Sequence, residues 1–135
     1  MDLYAEHILE HFKNPRCTSP LKDRTVEHAE ENLACGDTLS LALLIEGKKI
    51  TGVEWHGSGC AISQAGMSLL TEQLAGKNAA AVAKLSPKDQ RAFLGVPIST
   101  RRLKCALLPL FTLRNALRKW QGEPPLTWPE LLDED

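Results

Sequence analysis

The sequence contains no CxxC pair, no long apolar run and no excess of either charge. Sixteen Lys and Arg stand against seventeen Asp and Glu, a formal net charge of −1. That balance sets up no field to draw in nucleic acid or a lipid surface, so neither is expected as a partner. The longest apolar run, Ala106 to Leu113, is broken by Pro109 and Thr112 and falls far short of a bilayer's thickness. The first residues, MDLYAEHILEHF, carry a polar side chain every few positions. They lack the apolar centre of a secretory leader. A soluble, cytoplasmic protein is the expectation.

What is present is enough for one domain. The chain has 135 residues, 43% of them hydrophobic, which suits a single core spanning 1–135. Four cysteines occur: Cys17, Cys35, Cys60 and Cys105. In a reducing compartment they point to thiol or metal chemistry rather than to disulfides.

Local patterns mark the elements. Tyr4, Ile8 and Phe12 recur every four positions and predict a helix over residues 2–12, with Asp2 at its start and Asn14-Pro15 at its end. Residues 25–31 are polar and read as an edge strand. Leu39, Leu41, Leu43 and Ile45 then alternate, Gly47 and two lysines turn the chain, and Val53 and Trp55 alternate on the return. That is a β-hairpin with one buried face. The glycine-rich run HGSGC opens a helix of residues 61–75 that stops at Gly76. Residues 78–85 suit a short helix, and Ser86-Pro87 caps another. A last helix covers 100–120, with Leu103, Leu107, Leu110, Leu113 and Leu117 on one face and a kink at Pro109. The Pro-rich acidic tail, 123–135, is expected to dock loosely. Helix, strands, then helices give an α+β fold: a small antiparallel sheet of about three strands, covered by helices on one face.

Four residues form the candidate site. In extended chain Cys35 and Asp37 point the same way, and Gly36 between them leaves the backbone open to approach. Cys60 follows Gly59 at a helix start, where orphan N–H groups favour a thiolate. Cys105 follows Arg101, Arg102 and Lys104, cations that lower a thiol's pKa. Three thiols and a carboxylate suit a tetrahedral Zn²⁺, or two irons bridged by sulfide. Cys17, in the polar turn NPRC, reads as a bystander. His7 and His11 are four apart on the first helix and lack further ligands nearby. His28 and His56 are ordinary surface histidines, His56 being the nearest to Cys60 in sequence. Seven basic residues and no acid lie between Arg91 and Gly122, a candidate dock for an acidic partner. The scarcity of aromatics, 5%, speaks against nucleic acid there.

The segments HFKNPRC, ENLACGD, WHGSGCAISQAGMSLLTEQLAGK and RRLKCALLPL resemble, in order, the blocks of the IscU/NifU-type iron–sulfur cluster assembly scaffold family, over residues 3–120. The resemblance implies a scaffold or carrier rather than an enzyme. It builds a transient [2Fe–2S] cluster on Cys35, Asp37, Cys60 and Cys105 and passes it to apo iron–sulfur proteins. Asp37 makes the cluster labile, and Zn²⁺ often occupies the site. Sulfur arrives as a persulfide from a cysteine desulfurase, iron from an iron donor, and the chain is a monomer or weak oligomer. Lys104 replaces the histidine usual before the third cysteine. That resembles the zinc-dependent sulfur-relay branch, SufU, in which Cys35 would accept persulfide sulfur. The short span between Cys60 and Cys105 lacks the insertion usual in that branch, so the two features point in opposite directions. The residues before Cys105 read GVPISTRRLK rather than Leu-Pro-Pro-Val-Lys, a departure at the site a dedicated Hsp70 chaperone would recognise. Cys17 replaces the usual asparagine after Asn-Pro-Arg. A structural zinc module that binds partners is the third alternative.

Overall fold

The structure, a computed structural model, describes residues 5–134. Asp2 and Tyr4, expected in the first helix, lie outside the described residues. That helix, α1, covers Glu6–Lys13 and ends at Asn14. Its buried residues are Ile8 and His11, while Phe12 remains 42% exposed. The expected apolar stripe is therefore shifted, because α1 turns the Ile8–His11 side toward its neighbour.

The sheet has three antiparallel strands in the order β1 (Val26–Asn32), β2 (Asp37–Glu46), β3 (Lys49–Ser58). Register places Val26 opposite Leu43 and His28 opposite Leu41, while Leu41 also faces Trp55. Leu39, Leu41, Leu43 and Trp55 all point to the buried side, as period-two alternation demands. A bulge between Leu44 and Ile45 adjusts the hairpin end. The opposite face is open over Ala29, Ser40 and His56. Near the hairpin end it is covered by the segment before β1, where Leu21 packs over Gly52.

The helices lie on the buried side. They are α2 (Ala61–Glu72), the single turn α3 (Ala79–Val82), α4 (Pro87–Leu94), α5 (Leu103–Gln121) and α6 (Trp128–Leu132). A 3-10 turn, Thr100–Arg102, leads into α5. Ser86 and Asp89 form a reciprocal capping box at α4, with Pro87 at its start. Gly95 and Gly122 end α4 and α5 in the left-handed conformation. No helix among the described residues is long and apolar enough to cross a membrane.

Two cores result. The larger joins the sheet to α2, α5 and α6, and includes Leu41, Leu43, Met67, Leu70, Leu110 and Leu113. The smaller holds Ile8, Ile62, Ala65, Leu94, Cys105 and Ala106. The tail is a correction to the loose docking expected of it. Leu126 and Leu131 are buried, Trp128 stacks on Phe111 with ring centroids 4.1 Å apart, and Asn115 exchanges hydrogen bonds with the Leu126 backbone. Apolar residues spaced between the prolines, not the acids, decide where it goes.

Candidate metal and thiol site

The site begins with a turn. Asn32 ends β1 opposite Asp37, which starts β2, and Leu33-Ala34-Cys35-Gly36 connect them. The Cys35 N–H donates to the Asn32 carbonyl at 3.2 Å. Gly36 has φ +70°, a left-handed conformation that favours glycine. Cys35 was expected in extended chain beside Asp37. It sits instead on the tight turn, because closing a hairpin this short uses a left-handed residue. Cys35 is exposed and Asp37 is fully buried.

Cys60 is the residue that precedes α2. It has extended dihedrals and offers its N–H to Asp37 Oδ1 at 2.8 Å. Gly59 makes that contact achievable: it has φ +134°, and a Cβ there would stand 2.1 Å from Asp37 Oδ1. The Cys60 thiol is turned to Ser63 Oγ, 3.9 Å away.

Cys105 comes from the first turn of α5 and is 2% exposed. Its thiol donates to Cys35 Sγ at 3.2 Å, and Asn32 Nδ2 lies 3.8 Å from its sulfur. Pro109, having no N–H, cannot donate to the Cys105 carbonyl four residues back. Burial pushes the Cys105 thiol well above the ordinary thiol range, helped by hydrogen-bonding interactions with Cys35 and Asp37 and then by the nearby Cys60 and Asp37 charges. The expectation that the preceding cations would lower it is corrected. Lys104 Nζ lies over the Trp128 ring, 5.6 Å from its centroid, and Arg102 is exposed on the 3-10 turn. Desolvation acts on the sulfur directly, while the Lys104 ammonium is directed to Trp128.

One ligand atom each from Cys35, Asp37 and Cys105 therefore lies within 4.8 Å of the others. Asp37 Oδ2 is buried with no hydrogen-bond partner. An unsatisfied buried carboxylate oxygen costs free energy, and a cation between it and the two sulfurs would satisfy it. The Cys60 thiol stands outside this group of three and joins it only through its backbone N–H on Asp37.

Other candidates have structural work. His7 Nε2 lies 2.6 Å from the Leu94 carbonyl, and His11 Nδ1 lies 2.7 Å from Ser68 Oγ. His28 pairs with Glu30, and His56 pairs with Glu54 at 2.6 Å on the open face of the sheet. The Arg16 carbonyl accepts the Trp55 indole N–H at 2.6 Å, and the Cys17 carbonyl accepts the Trp55 backbone N–H at 3.0 Å. Three residues of the basic stretch are engaged within the chain. Arg114 binds Glu134, Arg118 binds the Pro124 carbonyl, and Lys119 binds the Glu27 carbonyl. Two residues at the site escaped sequence reasoning, Asn32 and Ser63. The hairpin pairing of Asn32 with Asp37 was the signal for the first, since directly paired residues share a face.

Comparison with known proteins bears on most of the chain. The family model for the NifU-like N terminal domain matches residues 3–125. The zinc-dependent sulfurtransferase SufU of Bacillus subtilis is 29% identical, over 89% of this chain and 92% of its own. The iron–sulfur cluster assembly scaffold protein IscU of Thermotoga maritima is 28% identical, over 87% of this chain and 94% of its own. A crystal structure of a candidate SUF-system scaffold from Fervidobacterium islandicum is similar with a TM-score of 0.74 at 30% identity. It covers 85% of this chain and 96% of that one.

Proposed function

Because the chain belongs to the NifU-like N-terminal domain family, we propose that it is an iron–sulfur cluster assembly scaffold, holding a labile [2Fe–2S] cluster on Cys35, Asp37, Cys60 and Cys105 and passing it to apo-proteins. The observation that carries this reading is the buried Asp37 oxygen without a partner beside two thiols. Thiolates bind iron firmly, and a harder carboxylate is an exchangeable corner. A carrier needs one such corner. Cys35 is exposed and Cys105 buried, so cargo is reached from the turn side and backed by the smaller core. Asn32 and Gly59 hold the donors in place: Asn32 through the Cys105 sulfur, Gly59 by leaving room for Asp37. A cysteine desulfurase, an iron donor and apo iron–sulfur proteins are the partners this role implies.

The test is anaerobic reconstitution with iron, sulfide and the purified chain, followed by transfer to an apo-ferredoxin. Asp37→Ala is expected to slow release. Asp37→Asn, which keeps an acceptor for the Cys60 N–H, is expected to slow it as well. Release from both variants as fast as from the parent overturns the reading.

A second reading is a zinc-dependent sulfur relay, in which Cys35 accepts persulfide sulfur. It is favoured by the exposure of Cys35 and by the similarity to SufU. The donor set fits Zn²⁺, which would be held by the same four residues and would supply charge to stabilise their thiolates. This reading predicts strong acceleration of the cognate desulfurase, and no acceleration removes it.

A further inference from the structure

Two thiols at the site are unequal in exposure, Cys105 being buried in the smaller core and Cys35 exposed. Cys35 lies on the exposed turn, open to a donor protein. Cys105 is buried, out of a donor's reach, with its sulfur 3.2 Å from that of Cys35. Cys60 does not share this arrangement, since its thiol faces Ser63.

We propose that Cys105 is the resolving thiol for a persulfide carried on Cys35, so that sulfide is released inside the ligand group with electrons from the protein itself. The inference rests on the sulfur-accepting role given to Cys35 above. A protein persulfide first transfers its outer sulfur to Cys35, making Cys35–S–SH. The Cys105 thiol passes its proton to the outer sulfur as its own sulfur attacks the inner sulfur of that persulfide. The bond between the two persulfide sulfurs breaks, the Cys35–Cys105 bond forms, and the outer sulfur leaves as H₂S with its own proton and the one from Cys105. Both electrons gained by that sulfur come from the two protein thiols, which end as a disulfide. A dithiol reductant resets the pair by exchange. Asn32 Nδ2, 3.8 Å from the Cys105 sulfur, supports the negative charge that atom takes on as its proton departs.

The arrangement has a consequence for cargo. Sulfide appears between the residues proposed to hold iron, so it need not diffuse through solvent. While the disulfide persists, two of the three thiol ligands are withdrawn. The chain accepts iron only after reduction, which couples loading to the supply of dithiol.

The experiment uses the full chain, metal-free, with an excess of a cysteine desulfurase already loaded as its persulfide and freed of remaining cysteine, and no other thiol, the loaded desulfurase alone providing the background. The parent is expected to release about one sulfide per chain and then stop, with a Cys35–Cys105 disulfide found by peptide mapping. Cys105→Ser is expected to retain the persulfide on Cys35 and to release about tenfold less sulfide. Cys17→Ser, outside the site, is expected to behave as the parent. Should Cys105→Ser not fold, mapping of the parent decides alone: a Cys35–Cys60 disulfide, or a Cys35 persulfide that persists without sulfide, overturns the inference. A persulfide on Cys35 in both the parent and Cys105→Ser, without sulfide from either, removes the resolving step and leaves the sulfur-accepting reading standing. No sulfur on Cys35 in any chain removes that reading and the inference with it.

Discussion

Asp37 Oδ1 accepts the Cys60 backbone N–H at 2.8 Å, a bond that ties the first residue of β2 to the start of α2. It joins two parts of the site that are 23 residues apart, and Gly59 is the residue that permits it. Gly59→Ala is expected to destabilise the chain by roughly 2–3 kcal/mol, from the positive φ and from the clash with Asp37. Urea unfolding measures the loss. Iron or zinc stoichiometry should fall with it, and an alanine variant with parental stability and metal content would contradict the role of the glycine.

Lys104 serves the tail rather than the site, since its ammonium lies over Trp128. Lys104→Ala is expected to leave metal stoichiometry unchanged and to cost no more than about 1 kcal/mol, the range of an exposed cation–π contact. Metal analysis and a denaturation curve on the same preparation check both parts.

Cys17 occupies φ +61°, a left-handed conformation that costs most side chains about 1–2 kcal/mol and that asparagine tolerates better. Cys17→Asn is expected to raise stability by roughly 0.5–1 kcal/mol, since its backbone carbonyl still accepts the Trp55 N–H. A lower urea midpoint for the variant would show that the partial packing of Cys17 against the larger core matters more.

His11 makes stability depend on pH. Burial holds its pKa below the ordinary 6.5, and the neighbouring Arg16 acts in the same direction, as does His7, against Glu72 and Glu10. Ser68 lies at its Nδ1. The unfolded chain therefore binds the proton more tightly than the folded one. Stability is full above pH 6.5, declines as pH falls through that value, and levels off below the folded pKa. Urea midpoints across this range should fall for the parent and fall less for His11→Gln.

Chelation is expected to remove metal without unfolding the chain. The larger core runs from the sheet to α2, α5 and α6, and none of its buried residues is among the four proposed ligands. Circular dichroism should keep its helical signal after chelation. Loss of that signal would favour a structural zinc module, in which binding and folding are one event.

Much of the fold was legible because its signals are local. The alternation from Leu39 to Ile45 set the hairpin's buried face, and Ser86-Pro87 with Asp89 marked the start of α4. The tail was misread because its acids and prolines are conspicuous, whereas Leu126, Trp128 and Leu131 decide its docking. Phe12 was misread because a four-residue spacing alone does not say which side of a short helix meets its neighbour.

Of the site, the residue types and their order could be read directly: Cys-Gly-Asp before a strand, a glycine before Cys60, and cations before Cys105. Each depends on a few adjacent residues. The tertiary structure decided the rest. It placed Cys35 on the turn, brought Cys105 within 3.2 Å of it from 70 residues away, turned the Cys60 thiol to Ser63 and sent Lys104 to Trp128. These outcomes depend on how the helices settle against the sheet. That balance is a sum of many burial terms over the whole chain, and no short stretch of sequence contains it.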